Sequence, residues 1–226
     1  MKWYISTRAR LGLALGAASA TSVGLWAAGA LRNHAGDYIY LISNLILAWV
    51  PLVLMLWLEK ALHRKLWSSW EALLVTGVFV AFLPNTFYMT TDVIHLYEQP
   101  RVDLVYDVIM LMSFILNAFI LGLIGLFLFH IELRKRLTVL KSWLLLFGLI
   151  LLTSFAIYVG RDLRWNTWDI LLNPASILFE VSDQLLAPAA HPKLLTTTLG
   201  FFVFISSLYV VAWYAARILR QQKFPE

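Results

Sequence analysis

The stretch VIMLMSFILNAFILGLIGLFLF, residues 108–129, contains no Asp, Glu, Lys, Arg or His. A helix needs about 20 such residues to cross the hydrocarbon of a bilayer. The run is continuous and does not alternate with a period of two, so it reads as a membrane-spanning helix and not as a barrel strand. Five comparable runs flank it, at 11–31, 38–58, 72–89, 143–160 and 194–216. The expectation is an all-α, polytopic transmembrane helix bundle of six spans, forming a single transmembrane domain over 1–226. Composition agrees: 61% of residues are hydrophobic and only 14% charged, against roughly 25% charged in soluble domains. Disorder, a secreted disulfide scaffold and a nucleic-acid-binding domain are excluded together. The chain has no cysteine, which removes thiol nucleophiles, Fe–S clusters and Cys-type zinc sites.

Orientation follows from the basic residues in the short loops. Lys2, Arg8, Arg10, Lys60, Arg64, Lys65, Arg134, Lys135, Arg136, Lys141, Arg217, Arg220 and Lys223 fall on one side; Arg32, Arg101, Arg161, Arg164 and Lys193 fall on the other. The richer side is read as cytoplasmic, with both termini inside. Most of the acids lie outside, including Asp37, Asp92, Glu98, Asp103, Asp107, Asp162, Asp169, Glu180 and Asp183, so the inner face carries +9 and the outer face −4 of the net +5. The basic balance is thus a topology signal and an attraction to anionic lipid, with membrane lipids as partners and no nucleic acid. Lys2, Arg8 and Arg10 with Ala18-Ser19-Ala20 resemble a signal peptide. The apolar run nevertheless continues through Val23, Leu25, Trp26 and Leu31, which favours an uncleaved signal anchor.

Within the first span Gly12, Gly16, Ala20, Gly24 and Ala28 recur every four residues and form a smooth stripe that another backbone can approach. Packing against a neighbouring span is the expected use; a homo- or hetero-oligomer through the stripe is the alternative. Polar residues at membrane depth are few: Asn44, Ser113, Asn117, Thr153 and Ser154. No ionisable residue lies near the middle of any span, which counts against an ion-coupled transporter.

The outer face carries the residues with chemistry. In Leu83-Pro84-Asn85-Thr86-Phe87-Tyr88-Met89-Thr90-Thr91-Asp92-Val93-Ile94-His95, proline breaks the end of the third span and Thr91 is placed to cap a short helix. Asp92 and His95, at i and i+3, then share a face, as two metal ligands, a base with its orienting partner, or an ordinary capping turn. Tyr106-Asp107 opens the fourth span, where a carboxylate suits the helix dipole or partners an Arg or a metal. In Gly160-Arg161-Asp162-Leu163-Arg164-Trp165-Asn166-Thr167-Trp168-Asp169, two arginines at i and i+3 run against the positive-inside bias. They are spaced to clamp a phosphate or carboxylate, to meet lipid headgroups beside the tryptophans, or to pair with nearby acids. Asn173-Pro174 then reads as the start of an outer-face interfacial helix over 174–187, apolar along Ile177, Leu178, Val181, Leu185 and Leu186, with Glu180, Asp183 and Gln184 elsewhere on it. His63 and His130, among basic residues at the inner interface, are expected to touch phospholipid. The G-x-S-x-G, H-E-x-x-H, Walker A and G-x-G-x-x-G patterns are missing.

Leu83-Pro84-Asn85 with Tyr88 and Thr91-Asp92, then Tyr106-Asp107, then Gly160-Arg161 through Arg164, Asn166, Trp168 and Asp169 form an ordered set. On these residues the chain, from about Leu41 to Ala216, resembles the bacterial integral membrane family called domain of unknown function 1361. Phe87 stands where that family has proline before the tyrosine, and Asp162 where it has an apolar or aromatic residue. The resemblance implies a bacterial inner-membrane protein and brings no activity, substrate or cofactor.

Three functional classes follow. The first is an outer-face site for a lipid-linked or anionic substrate. There His95, Asp92 and Asp107 are the catalytic candidates, and Asn85, Tyr88, Arg161, Arg164, Asn166, Trp168 and Asp169 the binding candidates; metal and cofactor are left open. The second is a structural or accessory subunit associating through the first span. The third is a small-solute permease lined by Asn44, Ser113, Asn117 and Thr153.

Overall fold

The structure is a computed structural model, and it describes residues 2–33, 38–97, 103–163, 165, 173–186 and 191–221. Among these residues all regular structure is helical. The helices are α1 (Lys2–Asn33), α2 (Ile39–Leu62), α3 (Trp70–Phe82), α4 (Pro84–Tyr88) continued by a 3-10 stretch (Met89–Tyr97), α5 (Leu104–Arg134), α6 (Val139–Asp162), α7 (Pro174–Leu186) and α8 (Pro192–Gln221). Six segments are long and apolar enough to cross a membrane: 8–31, 39–62, 70–94, 104–134, 139–162 and 192–219. They coincide with the six runs read from sequence. Most are longer than the runs because helix continues into polar flanks until a side chain ends it. Ser69 accepts from Ala72 N, Asp103 from Tyr106 N and Thr138 from Lys141 N, each capping a free helix start.

The third span is composite. At 13 residues, α3 covers only about 20 Å, well short of the hydrocarbon thickness of about 30 Å. Pro84 removes one backbone donor and breaks the ladder at Leu83, yet Leu83 keeps helical dihedrals and helix resumes through α4 and the 3-10 stretch. Asn85 Nδ2 donates to Phe82 O at 3.1 Å and Thr86 Oγ1 to Leu83 O at 2.7 Å, so side chains reinforce the hydrogen bonding around the break. Proline therefore interrupts this span without ending it. Thr91 does not start a new helix either; its hydroxyl donates to Tyr88 O, one turn back, at 2.8 Å.

Helix α5 is the axle. It packs against α1, α2, α4, the 3-10 stretch, α6 and α8, and 56% of its apolar window is buried, against 11% for α1. Two apolar clusters form around it. One joins Leu15 of α1 and Leu41, Leu45 and Leu52 of α2 to Leu111 and Phe114. The other joins Phe79 and Phe87 to Phe129, Ile150 and Tyr209 across α3 to α6 and α8.

Helix α1 lies almost wholly against α5, through Leu15, Ser22 and Gly29, which are buried. Ser19 Oγ accepts from Trp49 Nε1 of α2 and from Asn117 Nδ2 of α5, both at 3.0 Å. This polar node, placed mid-span where water is scarce, ties three helices. Tyr106 OH adds a 2.6 Å bond to Leu25 O. The Gly/Ala stripe faces elsewhere: Gly12, Gly16, Ala20, Gly24 and Ala28 are all exposed, and a Cβ on any of the three glycines meets nothing within 4 Å. The expectation that the stripe packs against a neighbouring span of the same chain is corrected. A four-residue repeat drifts around a helix of 3.6 residues per turn, so it leaves the face that Leu15 and Ser22 direct toward α5.

Candidate functional site

The described candidates Asn85, Tyr88, Asp92, Asp107 and Arg161 belong to the end of the bundle that holds α4, the 3-10 stretch, the start of α5 and the end of α6. Asp92, in the 3-10 stretch, is only 2% exposed. Asn44 of α2 donates to its Oδ2 at 3.3 Å. The 3-10 stretch packs on α5, and α4 packs on both α5 and α6. Tyr88 reaches the end of α6, where a Cβ added to Gly160 would lie 3.3 Å from Tyr88 Cε2. The Pro84–Asp92 turn and the Gly160-Arg161 end, distant in sequence, are thus brought together, and glycine is what lets them close. Arg161, Tyr88, Asn85 and Asp107 are half-buried, Asp107 in the first turn of α5. The side chain of His95 and the residues Arg164, Asn166, Trp168 and Asp169 lie outside the described residues. Among the described residues, no group of three His, Cys, Asp or Glu side chains comes together to hold a metal ion.

Helix α7 is fastened to this end. Tyr158 OH of α6 donates to Gln184 Oε1, and Trp165 Nε1 donates to Glu180 Oε2 at 2.7 Å. Glu180 and Gln184, one turn apart, thus form the face turned toward α6, and Gln184 is 7% exposed. Phe179 and Leu186, by contrast, are 78% and 86% exposed. The sequence reading had Leu186 on the apolar face of an interfacial helix and Gln184 elsewhere on it; Leu186 is exposed, as a lipid-level surface allows, and Gln184 is turned toward α6. The reason is chemical: Tyr158 and Trp165 offer donors that only polar partners satisfy, while a lipid-level surface accepts Phe and Leu.

Residues that sequence reading missed lie at the opposite end. His130 is fully buried, not in contact with phospholipid. Its Nδ1 is 2.9 Å from Tyr209 OH, and its ring centroid is 4.2 Å from that of Trp213 and 4.6 Å from that of Trp143. Among the described residues the acids of this end are paired: Glu59 with Arg8 of α1 at 2.7 Å, Glu71 with Lys65, and the buried Glu132 with Lys135 and Arg136. Arg136 also stands 5.3 Å over the Trp67 ring. Counting charges cannot reveal such pairs. The only available signal was that each acid has a base nearby in sequence or on the adjoining span.

The helices and their lengths define a class, the multi-pass helical membrane proteins, with a buried polar pair and a latched short helix at one end. Within that class the chain belongs to the family described as Protein of unknown function (DUF1361), whose model matches residues 43–211. The match spans every element of the Asp92 end that has been described, including Asn44, α4, the end of α6 and α7. No curated protein and no solved structure matches the chain.

Proposed function

We propose that this is a bacterial inner-membrane protein, with both termini cytoplasmic, whose Asp92 end faces outward and binds an anionic, lipid-linked headgroup. The buried Asp92–Asn44 pair is the observation that carries the reading. An ionisable group held inside a span is costly, and such groups are kept where they do chemistry or bind. Asn44 donates to the carboxylate and orients it. Arg161, at the close of α6 beside Tyr88, supplies a planar donor suited to phosphate or carboxylate. His95, Arg164 and Asp169 are the further candidates that this site would recruit. Basic residues concentrated at the opposite end support the orientation.

The test measures headgroup selectivity. Detergent-purified protein is equilibrated with phosphatidylglycerol or phosphatidylcholine and bound lipid is quantified. Wild type is expected to prefer the anionic lipid, and Arg161→Gln to lose about tenfold of that preference, the scale of one charge-assisted contact. Asp92→Asn retains folding and shifts which headgroups are held. Equal binding of both lipids by wild type would sink the proposal.

A second reading has its own support in the uncovered stripe of α1. A second copy of the chain would lay its own stripe there, since small residues let two helices approach closely. Replacing Gly16 and Gly24 with Leu is then expected to convert a dimer to monomer in single-molecule photobleaching. Identical step counts in variant and wild type would leave the stripe to lipid.

A further inference from the structure

An apolar groove of about 410 Å³ opens between α6 and α8, away from the residues assigned to the headgroup reading. Its walls include Gly148, Leu152 and Phe155 on α6 and Leu195, Thr198 and Leu199 on α8. Deeper in the bundle the same two helices close tightly through Ile150 and Ile205, both fully buried. The opening extends over Gly148, where a Cβ meets nothing within 4 Å. At about 1.5 Å per residue, Gly148 lies about 21 Å along α6 from Asp162, on the scale of one leaflet. The volume falls within the range of about 300–1,000 Å³ typical of built ligand pockets.

One polar atom interrupts this apolar lining. Thr198 is 9% exposed, and its hydroxyl has no hydrogen-bond partner. Thr153 of α6 likewise has no partner but does not line the groove, whereas several other helical threonines do bond. Thr21 donates to Ala17 O at 3.0 Å, Thr76 to Ala72 O at 2.7 Å and Thr196 to Pro192 O at 3.0 Å, each one turn back. A buried hydroxyl without a hydrogen-bond partner is a net cost unless an occupant brings an acceptor. The mouth of the groove is marked by Lys193, 80% exposed at its side chain and 4.0 Å from Asp162. Thr198 lies five residues further along α8, about 7.5 Å by the helix rise. A cation at the mouth, a single donor below it and a hydrocarbon channel below that match the order of groups in a glycerophospholipid: phosphate, ester carbonyl, acyl chain.

We propose that this groove binds one ester-linked acyl chain of an anionic glycerophospholipid. Thr198 donates to the ester carbonyl, and Lys193 faces the phosphate. The site uses none of the residues of the Asp92 end, so either reading stands if the other fails.

The experiment is native mass spectrometry of the full chain in mild detergent, titrated with diester phosphatidylglycerol, its diether counterpart or diester phosphatidylcholine. Measured in the Arg161→Gln background, so that only the groove is read, the protein is expected to hold one diester phosphatidylglycerol in preference to the other two lipids. Gly148→Phe fills the groove where open space was, and should lower retention of all three about tenfold while thermal unfolding is unchanged. Thr198→Val keeps shape and removes only the donor. It should weaken the diester lipid about fivefold and leave the diether lipid untouched, the effect of one hydrogen bond. Lys193→Gln should bring phosphatidylglycerol down to phosphatidylcholine. The proposal is overturned if folded Gly148→Phe retains lipid at the level of the Arg161→Gln parent. It is also overturned if Thr198→Val leaves diester and diether binding in the ratio of that parent, a result that stands even if Gly148→Phe does not fold.

Discussion

Gly122→Leu is expected to prevent accumulation of folded protein, and Gly122→Ala to lower the unfolding midpoint measurably. An added Cβ at Gly122 of α5 would sit 2.3 Å from Thr86 Oγ1, 2.8 Å from Thr86 Cβ and 2.7 Å from Phe87 Cζ. Neither neighbour can retreat. Both are fully buried; Thr86 is held by its bond to Leu83 O, and Phe87 packs edge-on against Phe119 with centroids 4.9 Å apart. Alanine would gain up to about 1 kcal/mol over glycine in helix propensity. Overpacking costs about 1–3 kcal/mol, so the clash wins, and a leucine must push α4 off α5 altogether. Because α4 carries Tyr88 toward Gly160, the Asp92 end would come apart with it. Detergent-purified yield by size exclusion and the thermal midpoint by tryptophan fluorescence provide the readout. Gly200→Ala, where a Cβ meets nothing within 4 Å, is the matched control and should be neutral or slightly stabilising. A wild-type midpoint for Gly122→Leu would mean that α4 and α5 do not approach this closely.

His130→Ala is the second large effect. The change empties a space bounded by Trp143, Tyr209 and Trp213, and loss of an aromatic-sized core side chain costs about 3–5 kcal/mol. It also strands the hydroxyl of Tyr209, a residue 1% exposed. His130→Phe separates the two contributions. The ring volume is kept and the hydrogen bond is lost, so destabilisation of about 1–3 kcal/mol is expected from the stranded hydroxyl. Adding Tyr209→Phe removes that hydroxyl and should recover most of the loss. The double-mutant cycle on unfolding midpoints decides the matter. If the two single costs simply add, the 2.9 Å contact contributes nothing to stability and only ring packing holds His130.

These two positions show where sequence reading stops. Gly122 lies in the run 108–129 that decides the fold, and nothing in that run distinguishes it from Gly125. Only the close approach of α4 makes one of them indispensable. His130 looked like an interfacial histidine because Arg134, Lys135 and Arg136 follow it. Its burial depends on Trp143, Tyr209 and Trp213, which arrive from two other helices. The Gly/Ala stripe misled in the opposite sense: its spacing suits a close helix contact, yet α5 approaches a different side of α1. At the candidate site, Asp92 was legible as an unusual residue beside a proline break. Its partner Asn44, 48 positions away, was legible only as a polar residue within a span.

What the sequence determined by itself was the solvent and the scaffold. Six apolar runs of membrane length, three of them capped by Ser69, Asp103 and Thr138, became six helical spans at the expected places. This holds because lipid satisfies no backbone hydrogen bonds, so an apolar run of that length has helix as its available form. The tertiary structure alone decided which faces are covered: that α5 is the axle, that α7 turns Glu180 and Gln184 inward, and that Asp92 is buried on Asn44. A lipid tail is as apolar as leucine, so hydropathy cannot tell a lipid-facing side from a packed one. That choice is made by close packing and by a few hydrogen bonds between residues far apart in the chain.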